Sequence, residues 1–174
     1  MKRTIQLASL LPALLLMGCV GEYSIRNIDK PAPEAYESWV KPGATQLDIK
    51  KALLECGDPS PATNSFIYEK ALGIKDNDGQ LNHQFLTHAC MEKSGFVYRW
   101  KYTLVDYCSW DRHKHLPACQ PSAVIPERSV ERRLNSWHCK LKTDRDYCRK
   151  HAFVPAACDD PKKDYTNPPP ECRP

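Results

Sequence analysis

Nine cysteines hold most of the reactive chemistry in this chain, and their spacing decides which kind it is. Zinc ribbons and fingers pair cysteines about two to four residues apart. Redox pairs need C-x-x-C, and haem attachment needs C-x-x-C-H. None of these patterns occurs, and the closest pair, Cys139 and Cys148, is nine residues apart. No metal or cofactor is therefore expected. Setting Cys19 aside leaves Cys56, Cys90, Cys108, Cys119, Cys139, Cys148, Cys158 and Cys172. An even count of this kind is what four disulfides require in an exported chain. Other reactive types are poorly arranged for catalysis. There is no G-x-S-x-G, no phosphate-cradling loop among the seven glycines and no H-E-x-x-H. His83 and His88 fall off a shared helical face, while His113 and His115 bracket a lysine in a loop-like stretch. Asp76 with Asp78, and Asp159 with Asp160, lie in turn contexts. No catalytic residue is expected, and the chain reads as a non-enzyme.

Cys19 stands apart because of what precedes it. Lys2 and Arg3 lead into the eleven-residue run Leu7 to Met17, which ends at Gly18-Cys19. A membrane-spanning helix needs about 20 apolar residues, and Pro12 interrupts this shorter run, so it reads as an export signal. Leu16-Met17-Gly18-Cys19 resembles the lipobox of bacterial lipoproteins, with Met17 in place of the usual small residue. The resemblance implies cleavage before Cys19 and lipidation of that cysteine. Two or more acyl chains would give stable anchoring where one is marginal. Val20 stands where aspartate is the inner-membrane retention signal of enteric lipoproteins, so the resemblance points to the outer membrane. The expected organisation is a signal over 1–18, a lipidated N-terminus and flexible tether over 19–38, and one domain over 39–174. That domain divides into a helix-helix-strand part (39–105) and a cysteine-rich basic part (106–174).

An internal repeat bears on the pairing of the other eight cysteines. Asp106-Tyr107-Cys108 runs to Leu116-Pro117-Ala118-Cys119, and Asp146-Tyr147-Cys148 runs to Val154-Pro155-Ala156-Ala157-Cys158. The simplest reading is a small loop stapled at its base and used twice, Cys108 to Cys119 and Cys148 to Cys158; a crosswise pairing is the alternative. Loops of this size contribute about 2 to 3 kcal/mol each on the chain-entropy account.

These cysteines need elements to hold them. Pro42-Gly43 predicts a turn, and Thr45 with Asp48 predicts a helix start that Gly57 stops. Ile49, Ala52, Leu53 and Cys56 then form one inward stripe. Turn formers fill 58–81, apart from an apolar piece at Phe66 to Tyr68 that reads as an edge strand. A second helix fits Asn82 to Lys93 with Cys90 on its inner side, which favours Cys56 to Cys90. Phe96 to Val105 alternates aromatic with polar or small residues and is the clearest strand, its bulky face covering the helices as core or serving as a ligand platform. A third helix opens after Pro126, capped by Ser129, with Val130, Leu134, Trp137 and Leu141 on one face. Glu127, Glu131, Arg132 and Arg133 point away. Thr143 with Asp146 predicts a short fourth helix. The proline-rich tail is expected to run extended to Cys172, which pairs with the remaining Cys139. The fold class is α+β, a small disulfide-rich and mainly helical domain.

Trp39-Val40-Lys41-Pro42-Gly43-Ala44-Thr45 and Leu54-Glu55-Cys56-Gly57, with Cys90-Met91-Glu92-Lys93-Ser94-Gly95-Phe96, resemble a class of small Gram-negative lipoproteins over about residues 39–105. The same segment is faintly similar to the small lipoprotein of the barrel-assembly machinery. The cysteine-rich second half departs from that family, so its partners are not carried over. Charge is uneven along the chain. Val20 to Gly95 has 8 Lys and Arg against 11 Asp and Glu, and Phe96 to Pro174 has 15 against 10. Arg112, His113, Lys114, His115, Lys140, Lys142, Arg145, Arg149 and Lys150 form the candidate basic face, suited to an acidic envelope protein or lipopolysaccharide phosphates. Nucleic acid is disfavoured by location, and no small-molecule substrate is evident. The expectation is an outer-membrane-anchored structural or interaction module of the envelope, facing the periplasm or cell surface. The alternative is a protective binder, acting in phage superinfection exclusion or in immunity to a toxin or lytic enzyme.

Overall fold

In the computed structural model, which describes residues 33–62, 67–99 and 103–174, Thr45 and Asp48 close a reciprocal capping box. The Thr45 hydroxyl accepts the Asp48 N–H at 3.2 Å, and the Asp48 carboxylate accepts the Thr45 N–H at 2.8 Å. Two of the donors that a helix start leaves unpaired are thereby satisfied. Helix α1 (Gln46–Cys56) follows, and Gly57 ends it in the left-handed region at φ 112°, returning its N–H to Leu53 and Leu54. Thr45→Ala is expected to cost about 1 kcal/mol, read as a lower urea midpoint with unchanged slope. An unchanged midpoint would mean that packing alone fixes this helix.

The inward stripe of α1 builds the main core. Ile49, Ala52, Leu53 and Cys56 pack with Trp39, Cys90, Met91 and Phe96. A 3-10 turn at Ala35–Ser38 precedes Trp39, and Ala35 and Tyr36 lie against that core. The expected tether boundary at 38 is therefore too late; residues 1–32, which hold the expected leader, Cys19 and most of the expected tether, lie outside the described residues. The piece expected as an edge strand at Phe66 to Tyr68 is instead the start of helix α2 (Ile67–Leu72), Phe66 itself lying outside the described residues.

Helix α3 (Asn77–Lys93) starts well before the expected Asn82. Asp76, read as part of a turn, is its N-cap and accepts the Gly79 N–H at 2.6 Å. Gly79 is needed inside the helix because a Cβ there would lie 2.8 Å from the Ile74 side chain. The expected strand Phe96 to Val105 is corrected to a short one. β1 (Trp39–Val40) and β2 (Val97–Tyr98) pair antiparallel, with Trp39 opposite Tyr98 and Val40 opposite Val97. Residues 100–102 lie outside the described residues, and Leu104 and Val105 are already helical. The reason is a second capping box, Thr103 with Asp106, that starts α4 (Leu104–Ser109). Of the expected aromatic face, Phe96 is core and Tyr98 is half-buried against Trp39.

The expected third helix is two. α5 (Val130–Leu134) stops at Asn135, and Ser136 caps α6 (Trp137–Thr143) by accepting the Cys139 N–H. α7 (Arg145–His151) is capped by Asp144 rather than Thr143, whose hydroxyl donates to the Cys139 carbonyl at 2.9 Å. The tail is not extended to its end, because Pro170–Cys172 forms a 3-10 turn.

Four disulfides bind these pieces into a small α+β domain. Cys56–Cys90 joins α1 to α3, and Cys139–Cys172 ties α6 to the tail. Cys108–Cys119 and Cys148–Cys158 each close a short helix onto a following 3-10 turn. The repeated units close within themselves rather than crosswise, and Cys56–Cys90 and the leftover pair Cys139–Cys172 are as expected. Among the described residues, no helix is long and apolar enough to cross a membrane.

Candidate functional site

The deepest polar cluster was not anticipated from the sequence. Glu55, on the last turn of α1, is buried, and its two carboxylate oxygens are claimed by different arginines. Arg128 lies 2.6 Å from Oε2 and Arg133 lies 3.0 Å from Oε1. Arg133 was expected to point to solvent, yet it is 2 % exposed and also donates to the carbonyls of Glu171 and Arg173. Arg132 likewise turns back to the Glu55 carbonyl. The cluster thus fastens α1, α5 and the C-terminal turn together. With both oxygens engaged by fixed donors, the Glu55 carboxylate is held as a structural anion rather than presented as a base.

Beside it, His138 on α6 meets Glu171 at 3.0 Å. Glu171 is held down to about 2, first by that hydrogen bond, whereas burial pulls His138 below its ordinary value against the same bond. His138, Glu171 and Cys172 bring potential ligand atoms within 4.8 Å of one another. The donor set does not fit a metal, because the Cys172 sulfur is bonded to Cys139 and is not a thiolate.

A second nest surrounds His88 on α3. Its ring makes edge contacts with Trp39 at 4.6 Å and Tyr98 at 4.4 Å, and Tyr107 lies farther off at 6.3 Å. Its Nδ1 is buried without a hydrogen-bond partner, and burial pushes the imidazole down to about 4. The ring is therefore neutral in ordinary buffers and packs as an aromatic. His83, on the same helix but a different face, donates from Nε2 to the Gly57 carbonyl at 2.9 Å. An open groove of about 520 Å³ lies against β1, lined by Tyr36, Glu37, Trp39, Ile49 and Arg99. Glu37 and Arg99 are exposed at its rim, so it pairs an apolar floor with charges of both signs.

The expected basic residues do not form one uniform face. His113 is buried, its Nδ1 donating to the Tyr107 carbonyl at 3.0 Å and its ring on Phe85, so it leaves the candidate face and joins the core. Packing drives this, because Leu116 and Ala118 fold the same loop onto α3. Lys114 pairs with Asp111 at 2.7 Å, His115 with Asp78 at 2.8 Å, and Arg112 lies over the Trp110 ring. In the other group, Arg145 and Arg149 both hold Asp159, each at 2.8 Å. Lys140 and Lys142 are half-buried, and Lys150 is exposed. Burial lowers Lys142, with nearby Glu171 opposing.

No protein family, curated protein or solved structure matches this chain. Its own geometry must carry the functional reading. The buried charges brace the fold, and the buried histidines pack, donate to carbonyls or, as His138 does, pair with a carboxylate.

Proposed function

We propose that the protein is an outer-membrane-anchored lipoprotein whose stapled domain is a non-enzymatic structural or interaction module of the cell envelope. One observation carries the reading: all eight cysteines after Cys19 are consumed in four disulfides that each close a helix onto another element. Disulfides persist in oxidising compartments. Together with the Lys2-Arg3 lead, the apolar run and Gly18-Cys19, that supports a domain beyond the cytoplasm on a lipid anchor. The engaged states of Glu55 and Glu171 support a non-enzymatic role. A protective binder, guarding against phage, toxin or lytic enzyme, is the second reading. The mix of charge on the basic half and the rigid exposed loops favours a protein partner for either.

Cys19→Ser is expected to move the protein from the membrane pellet to the soluble envelope fraction, and the intact mass of the parent should include acyl chains on residue 19. A parent of unmodified mass, or one with reactive thiols in the native state, would overturn the anchored reading. Affinity capture from gently solubilised membranes then separates the roles. An assembly component supports the structural module, a phage or toxin protein supports the binder, and no enriched protein counts against both.

A further inference from the structure

The two repeated units are the same device with different outcomes. Each is a capped short helix bearing D-Y-C, a disulfide, and a 3-10 turn that opens on proline: α4 with Pro117–Cys119, and α7 with Pro155–Asp159. In the first unit the turn is covered from within the chain. Leu116 and Ala118 are 1 % and 5 % exposed, packed with Phe85 of α3. The Ala118 N–H donates to the Asn82 side chain at 2.7 Å, and Asp78 in the first turn of that helix meets His115. In the second unit no helix among the described residues covers the turn in this way; only Phe153 is touched, edge-on by the Trp137 ring at 5.8 Å and from above by Lys70. Val154 and Ala156 stand where Leu116 and Ala118 stand in the first, yet Phe153 through Ala157 form an unbroken exposed run, with Phe153 at 52 % and Val154 at 62 %.

We propose that Phe153–Ala157 is the docking surface for an amphipathic helix of a partner protein. The partner helix would carry an amide side chain, an aromatic residue three positions on and an acidic first turn. That is the pattern Asp78, Asn82 and Phe85 present to the first unit. The turn is already shaped for it. Cys148–Cys158 and the two arginines on Asp159 fix it before binding, so little ordering is lost on association. Proline and alanine let a helix approach closely, and exposed Lys150 stands beside the turn to meet its acidic residues. An anionic lipid surface fits less well, because residues 144–164 carry five Lys and Arg against five Asp. A second copy fits less well too, since the matching face of its α3 is occupied by its own first unit. The inference rests on the interaction half of the reading above and is independent of the anchor.

The test is binding of the purified, oxidised full chain to a capped synthetic peptide with this protein's own residues 76–89. Saturable binding is expected, weakened at least tenfold by Val154→Asp and by Phe153→Ser, and unchanged by Val105→Asp, which alters a still more exposed valine elsewhere. Near-UV circular dichroism checks that each variant is folded. Absence of binding by the parent, or binding insensitive to Val154→Asp, would overturn the proposal. So would a Val154-dependent attachment to phosphatidylglycerol vesicles without peptide binding, or a Val154-dependent dimer in sedimentation. An unlipidated Cys19 with intact peptide binding would remove the anchor and leave this surface standing.

Discussion

Glu55→Ala is expected to cost about 3 to 5 kcal/mol of folding stability, the range for breaking a buried ion pair from one side. The side chain of Arg133 is only 3 % exposed, so without Glu55 its guanidinium is left inside the protein with two carbonyls and no counter-charge. Arg128→Ala should cost far less, about 1 kcal/mol, because Arg128 is 36 % exposed and water replaces much of what it loses. Arg133→Ala should approach the Glu55 variant, since it also orphans the Glu171 and Arg173 carbonyls. Urea unfolding of the three single variants and of the Glu55/Arg133 pair checks the order. Non-additivity of the pair is expected because the two residues share one interaction. Equal costs for Arg128→Ala and Arg133→Ala would show that burial is not what makes this cluster matter.

That cluster also shows where reading a sequence stops. Thr45 with Asp48, Gly57 and the Ile49-to-Cys56 stripe act within a few residues of one another, and so were legible. The stripe directs Cys56 toward Cys90, and the repeated D-Y-C units indicate their own closures. Arg133 gave no such signal: its partner lies 78 residues away, and an arginine following Glu131 and Arg132 reads as solvent-facing until the fold returns it to Glu55. The strand misread at Phe96 to Val105 has a different cause. Alternation is a tertiary signal that needs a partner strand, and among the described residues of this stretch only Val97 and Tyr98 find one, opposite Val40 and Trp39. From Thr103 onward a local capping box outcompetes it. The Asp76 cap was hidden for a related reason, since Asp-Asn-Asp-Gly is turn chemistry unless Asp76 turns its carboxylate to the Gly79 N–H.

Asp58→Asn should stabilise the protein above pH 7, by up to about 4 kcal/mol, and leave it unchanged in strong acid. Burial pushes the Asp58 carboxyl up from 3.8 to about 7, against the hydrogen bond it accepts from the Ser60 N–H at 3.2 Å. Between those values the native state keeps a proton that the unfolded chain gives up. Stability therefore falls as pH rises through that window, and the full penalty is in place above it. Asparagine keeps the Ser60 hydrogen bond and carries no charge to bury. His88 acts with the opposite slope. Its imidazole ionises near 6.5 when unfolded but only near 4 when folded, so the unfolded chain gains the proton first and stability falls as pH drops from 6.5 to 4. That limb is worth about 3 kcal/mol, and His83 and His138, also lowered by burial, add to it. In the parent the two slopes oppose each other between pH 4 and 6.5, giving a flattened profile. In Asp58→Asn the largest opposing slope is gone, and stability should climb from pH 4 to a plateau near 7. Urea midpoints from pH 4 to 8 separate the cases: a variant less stable than the parent at pH 8 would show that the ionised Asp58 carboxylate is stabilised by its surroundings rather than penalised.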